Sequence, residues 1–132
     1  MKESYIAKTN DEWKTQTKAS LSNVRTSVNK TRRVLNQIRG CSYEQALVLL
    51  EFMPYKACYF ILQLILSAAG SINNNCGRRI NKSDLFIGEA HADNVACLKR
   101  FRPRARGRGY PVHKPICRIT VTSTLGNRTK RA

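Results

Sequence analysis

The chain has 132 residues, with 24 lysine and arginine side chains against 8 acidic ones, giving a formal charge of +16 at pH 7. With 42% apolar residues it can bury about 65% of its unfolded surface, which excludes a wholly disordered tail and fits a single domain. Its charge calls for a polyanionic partner, whether nucleic acid, an anionic membrane face or an acidic protein. Residues 1 to 40 contribute +6, residues 41 to 97 contribute −1 and residues 98 to 132, which hold no acid, contribute +11. This is a nearly neutral body between two basic flanks, the pattern of a packed core with nucleic-acid-binding extensions.

In chain order, residues 1 to 18 read as a flexible extension with Trp13 and little periodicity, and Lys18 to Arg25 as an edge strand carrying Leu21 and Val24. Ser27 then suits the cap of a helix with Val28, Thr31, Leu35 and Ile38 on one face and Lys30, Arg32 and Arg33 away from it. Gly40 ends it. Ser42-Tyr43-Glu44-Gln45 has capping-box spacing and opens a second helix that must stop before Pro54. Pro54 is expected at the first position of a third helix. That helix places Tyr55, Cys58, Tyr59, Leu62, Ile65, Leu66 and Ala69 on one face and Ala57, Ile61, Leu64 and Ala68 on another. Apolar nearly all round, it reads as central, with both tyrosines in the core and fraying at Gly70.

A basic loop from Asn75 to Lys82 leads into a strand from Leu85 to Cys97. Ile116 to Thr124 alternates, with Cys117, Ile119 and Val121 on one face, and is expected to pair with it as an antiparallel hairpin. Between these arms, Lys99, Arg100, Arg102, Arg104, Arg106 and Arg108 crowd into ten residues, the last five at alternate positions. Extended, such a chain presents these arginines on one side, and their repulsion demands outside counter-charge. Guanidinium forks match phosphate oxygens and stack on bases, so this arm is expected to hold RNA and to stay mobile over residues 98 to 115 until RNA binds.

Other chemistries find little support. Cys41, Cys58, Cys76, Cys97 and Cys117 lie 17 to 21 residues apart, which gives no zinc-type pair and suggests reduced thiols buried as small hydrophobes. No nucleophile and base motif accompanies His91 or His113, so no enzyme, metal or cofactor is expected. The apolar run Ala57 to Ala69 falls short of the roughly 20 residues that span a bilayer, so no membrane partner is expected.

The motifs Lys99-Arg100, Pro103-Arg104-Ala105-Arg106-Gly107-Arg108 and Ile119-Thr120-Val121 resemble the hairpin of the twenty-second protein family of the large ribosomal subunit. Val24-Arg25-Thr26-Ser27, Lys30, Arg32 and Ile38-Arg39-Gly40 resemble that family's first helix. Pro54-Tyr55-Lys56-Ala57-Cys58-Tyr59 and Ser67-Ala68-Ala69 are similar to its chloroplast branch, while Gly70, Ser71 and Asn74 depart from the common pattern. The resemblance covers residues 19 to 125. It implies an α+β fold, with three helices packed on a small three-stranded antiparallel sheet and a long hairpin at about 84–124, followed by a basic tail over 126–132.

The implied function is structural, in the chloroplast large subunit. The body would bind ribosomal RNA near the peptide exit tunnel, beside neighbouring ribosomal proteins, and the hairpin would line the tunnel against the nascent polypeptide. A free RNA- or DNA-binding protein is the alternative. Candidate RNA contacts are Arg25, Lys30, Arg32, Arg33, Lys99, Arg100, Arg102, Arg104, Arg106, Arg108, Lys114 and Arg118, and candidate tunnel-lining residues are Leu98, Lys99, Arg100, Phe101 and Arg106.

Overall fold

The computed structural model describes residues 16–76 and 80–125. The expected extension before Gln16, the centre of the basic loop at 77–79 and the tail over 126–132 lie outside the described residues. The elements are β1 (Gln16–Val24), α1 (Val28–Ile38), α2 (Tyr43–Phe52), α3 (Lys56–Cys76), β2 (Leu85–Pro103) and β3 (Gly109–Leu125). All strands pair antiparallel in the order β1-β3-β2, and the three helices pack on this sheet as the α+β reading requires.

Each helix forms for reasons visible in its residues. α1 buries Thr31, Val34, Leu35 and Ile38, one stripe at helical spacing, and its arginines lie off that stripe. Gly40 follows it at φ +80°, a conformation glycine adopts freely, and its amide donates to Ile87 O at 2.9 Å. α2 begins with the expected capping box: Ser42 Oγ accepts from the Gln45 amide and Gln45 Oε1 accepts from the Ser42 amide. The α1–α2 turn is thereby laid along β2, where Cys41 O accepts from the Ile87 amide at 3.0 Å and Ser42 bridges to Phe86.

Several expectations need correction. Ser27 stands at the cap position of α1, but its side chain makes no capping bond; its carbonyl instead accepts from the Thr31 hydroxyl at 3.1 Å. Pro54 precedes α3, which starts at Lys56. Nor does α3 end at Gly70: it continues to Cys76, because Ile72 two residues further is fully buried and repays the weak residue. It is long and apolar enough over residues 56–75 to cross a membrane by length and composition. What sets its place is packing, since Ala57, Cys58, Ile61, Leu64, Ile65, Ala68 and Ile72 are buried in the body and α3 lies against β1 and β3. Tyr55 and Tyr59 are not core residues. They are 46% and 63% exposed, because the buried stripe follows Ala57 and Ile61 and turns both rings outward.

β1 begins at Gln16, so Gln16, Thr17 and Lys18 of the presumed extension pair with Thr124, Ser123 and Thr122. Thr17 is buried and its hydroxyl donates to Ala68 O at 3.2 Å, which ties this strand to α3. The hairpin is paired along its whole length, from Leu85↔Leu125 to Pro103↔Gly109. Residues 98–115, the stretch expected to stay mobile until RNA binds, lie in this ladder and its turn. Register shifts at Gly88 and Val95 bend β2, the second where the hairpin leaves the body.

Not every cysteine is a buried hydrophobe. Cys58 and Cys117 are buried, Cys41 is half-buried and Cys97 is exposed on the hairpin, all as free thiols. Burial pushes the Cys58 thiol up, opposed in part by backbone hydrogen bonds from Tyr55 and Cys58 itself. Cys117 is 0% exposed, and its sulfur lies 3.1 Å from Thr26 Oγ1 and 3.9 Å from Thr31 Oγ1. The two hydroxyls are themselves 3.2 Å apart, so this small polar cluster pins the start of α1 to β3.

Candidate RNA interface

A groove of about 700 Å³ opens where the N-termini of α1 and α3 meet the flank of the hairpin. Arg25, Thr26, Ser27, Lys30 and Arg33 line one side, Tyr55, Lys56 and Ala57 another, and Leu98, Arg100, His113, Lys114, Pro115 and Ile116 the third. Six lysine and arginine side chains from four separate segments share this lining with no carboxylate among them. Neither α1 nor α3 carries an acid in its first turn, so the partial positive charge of both helix starts adds to the field. Leu98, Pro115, Ile116 and the Tyr55 ring give the groove an apolar floor. Phosphate at the rim and an unstacked base on the floor would satisfy both features.

The structure gathers Arg25, Lys30, Arg33, Leu98, Arg100 and Lys114 into this groove, although they come from both ends of the chain. Lys56, Tyr55 and His113 belong with them and were not singled out as contacts. Lys56 carried a usable signal, since it is the sole charge between Glu51 and Arg78 and sits at the very start of a helix. Arg32 is exposed but is directed at the sheet edge, with its Nε donating to Ala92 O at 3.1 Å. Arg39, also missed, donates to Ala90 O at 2.6 Å. Together they cover carbonyls on the outer edge of β2 that a foreign strand would otherwise seek.

A second basic cluster stands at the hairpin tip, which turns through Ala105–Gly107. Arg104 and Arg108 close the turn, with the Arg104 amide donating to Arg108 O at 2.6 Å. Arg106 takes φ +57°, followed by Gly107 at φ +71°; a side chain in that region costs about 1–2 kcal/mol. This turn breaks the alternate spacing of the five arginines, so they do not form one row. Arg100 and Arg102 lie along β2, while Arg104, Arg106 and Arg108 fan around the end. The Arg104 guanidinium sits over the Tyr110 ring at 5.8 Å from its centroid, a platform suited to stacking. Phe101 is 71% exposed and its ring lies over Gly109, where a Cβ would clash with it. Lys99 pairs in register with His113 away from the tip, and Arg118 stands opposite Asp93, which offsets its charge. Among the described residues no three His, Cys, Asp or Glu side chains gather as metal ligands.

The family described as "Ribosomal protein L22p/L17e" matches residues 19–124, which takes in β1, all three helices and nearly the whole hairpin. The chain belongs to that family. Among members of the L22p/L17e family it is 61% identical over 99 residues to the large ribosomal subunit protein uL22c of Adiantum capillus-veneris, covering 75% of this chain and 80% of that one. It is 57% identical over 114 residues to uL22c of Angiopteris evecta, covering 86% and 94% of the two chains. With uL22c of Chara vulgaris it shares 55% identity over 111 residues, covering 84% and 89%. These relatives make it a large-subunit ribosomal protein of the chloroplast type. Members of the L22p/L17e family are structural constituents of the ribosome, not enzymes.

Proposed function

We propose that this protein holds large-subunit ribosomal RNA at two places, the groove of the body and the arm of the hairpin, as a structural and non-catalytic constituent. The observation that carries the reading is the groove. Four segments distant in sequence bring six cations, two helix N-termini and an apolar floor to one cleft, in a body whose middle third is otherwise almost neutral. In this reading the Arg104–Tyr110 platform and the fanned tip arginines hold RNA further out.

The resemblance to the family supports a location beside the peptide exit tunnel, with the hairpin along its wall and the nascent chain passing it. The exposed tip, with Phe101 and Arg106, suits the wall better than Leu98 and Arg100, which the groove already employs.

Binding of the full chain to a large-subunit RNA fragment, measured across a salt series, tests both sites. Replacing Arg25, Lys30 and Lys56 by alanine is expected to flatten the logarithmic salt slope by about 2 to 3, and replacing Arg104, Arg106 and Arg108 by a similar amount. A slope unchanged by the first triple rules out the groove as an RNA site; one unchanged by the second rules out the tip. Sedimentation with large subunits that survives high salt separates a ribosomal constituent from a free RNA-binding protein.

A further inference from the structure

α2 differs in kind from everything around it. In a chain of +16 it contains no lysine or arginine, and it carries two of the five acids among the described residues, Glu44 and Glu51. Tyr43, Ala46 and Leu50 turn inward to the core. The opposite face presents Val48, Leu49 and Phe52 to solvent, with Phe52 82% exposed. Helical spacing puts Val48 and Phe52 in one row beyond Glu44, with Glu51 flanking the same row. Beside it a shallow depression is lined by Cys41, Glu44, Gln45, Val48 and Leu49. The adjacent turn Lys82–Asp84 contributes one charge of each sign and leaves the balance unchanged.

We propose that this face of α2 is a protein-docking surface whose occupant is a basic segment of a neighbouring protein, one that inserts an apolar side chain between Val48, Leu49 and Phe52 and sets lysine or arginine against Glu44 and Glu51. Apolar side chains rimmed by charge are the usual anatomy of an interface. Complementarity of charge selects the occupant. RNA is repelled, since the face offers two carboxylates and no cation to a phosphate backbone, whereas a basic protein gains from both acids. A second copy of this chain would bring the same acids face to face. This surface belongs to α2 alone and is independent of RNA binding at the groove.

The test uses the full chain with a photoreactive benzoyl-phenylalanine in place of Phe52, assembled into large ribosomal subunits and irradiated. A crosslink to another protein of the subunit is expected, at a segment bearing lysine or arginine beside an apolar residue. Glu44→Lys with Glu51→Lys is expected to lower its yield about ten-fold. RNA affinity of the isolated chain stays unchanged or rises, which separates loss of this surface from loss of the groove. Should the double lysine variant fail to assemble, Glu44→Gln with Glu51→Gln gives the same readout with smaller amplitude. A crosslink to ribosomal RNA, a crosslink to a second copy, no crosslink, or one indifferent to both charge variants would each overturn the proposal.

Discussion

The two ends of one hairpin share a backbone pattern and differ in everything that stabilises it. Near the body, β2 and β3 place Leu85, Ile87, Ala90, Ala92, Cys117, Ile119 and Val121 in the core. From Asp93 round to Ile116 no side chain is buried, although the ladder runs on to Pro103↔Gly109. A net gain of about 0.5–1.5 kcal/mol per hydrogen bond hardly offsets about 1–2 kcal/mol to order each residue, so an isolated two-stranded ribbon is marginal. Pro111 and Pro115 also lack an amide to donate. Ladder hydrogen bonds thus give the outer arm its form, and only burial gives the inner end its strength. The outer arm carries six cations within residues 99 to 108, and counter-charge from a partner would supply what burial does not.

Core substitution should break this contrast most severely. Ile119→Ala is expected to cost about 2–5 kcal/mol in urea unfolding, while Phe101→Ala stays within about 0.5 kcal/mol; equal losses would mean that the outer arm has a core of its own. Hydrogen exchange should sharpen the contrast along a single strand. Amides between Cys97 and Gly109 are expected to exchange about a hundred-fold or more faster than those of Ile119 and Val121 in the free protein, and uniform protection would contradict it. Thr31→Val removes the hydroxyl that reaches Ser27 O and faces Cys117, with an expected loss of about 1 kcal/mol by the same unfolding measurement.

The smallest effect is alkaline. Burial raises the Cys58 thiol above its ordinary 9.0 and the Tyr43 phenol above its ordinary 10.0. The unfolded chain therefore releases these protons first. Stability is expected to hold up to pH 9 and fall as pH rises through the raised values, and Tyr43→Phe should remove the part of the decline that begins above 10.0. A titration in which Tyr43→Phe changes nothing would show that this phenol is not buried in solution.

Much of this was legible along the chain because it depends on near neighbours. The capping box at Ser42 and Gln45, the glycine stop at Gly40, the alternation from Cys117 to Val121 and the basic arm are all local patterns. What could not be read was which face of α3 the body would cover. Its sequence is apolar on two sides, and only the sheet it packs against decides that Ala57 and Ile61 go in while Tyr55 and Tyr59 stay out. The end of α3 escaped for a similar reason, since Ile72 contributes to the helix only once the core receives it.

The candidate site divides in the same way. Charge and its placement are properties of the sequence, so the expectation of a polyanionic partner and the choice of Arg100, Lys30 and Lys114 as candidate contacts needed no knowledge of the fold. That Arg32 turns to Ala92 while Lys56 and His113 join Arg25 in one groove is decided by the meeting of two helix starts with a hairpin flank. The row of alternate arginines was likewise undone at Arg106, where the chain must reverse. Spacing specifies faces only while the backbone stays straight, and where it bends or meets a distant segment, tertiary contact determines which side chains share a surface.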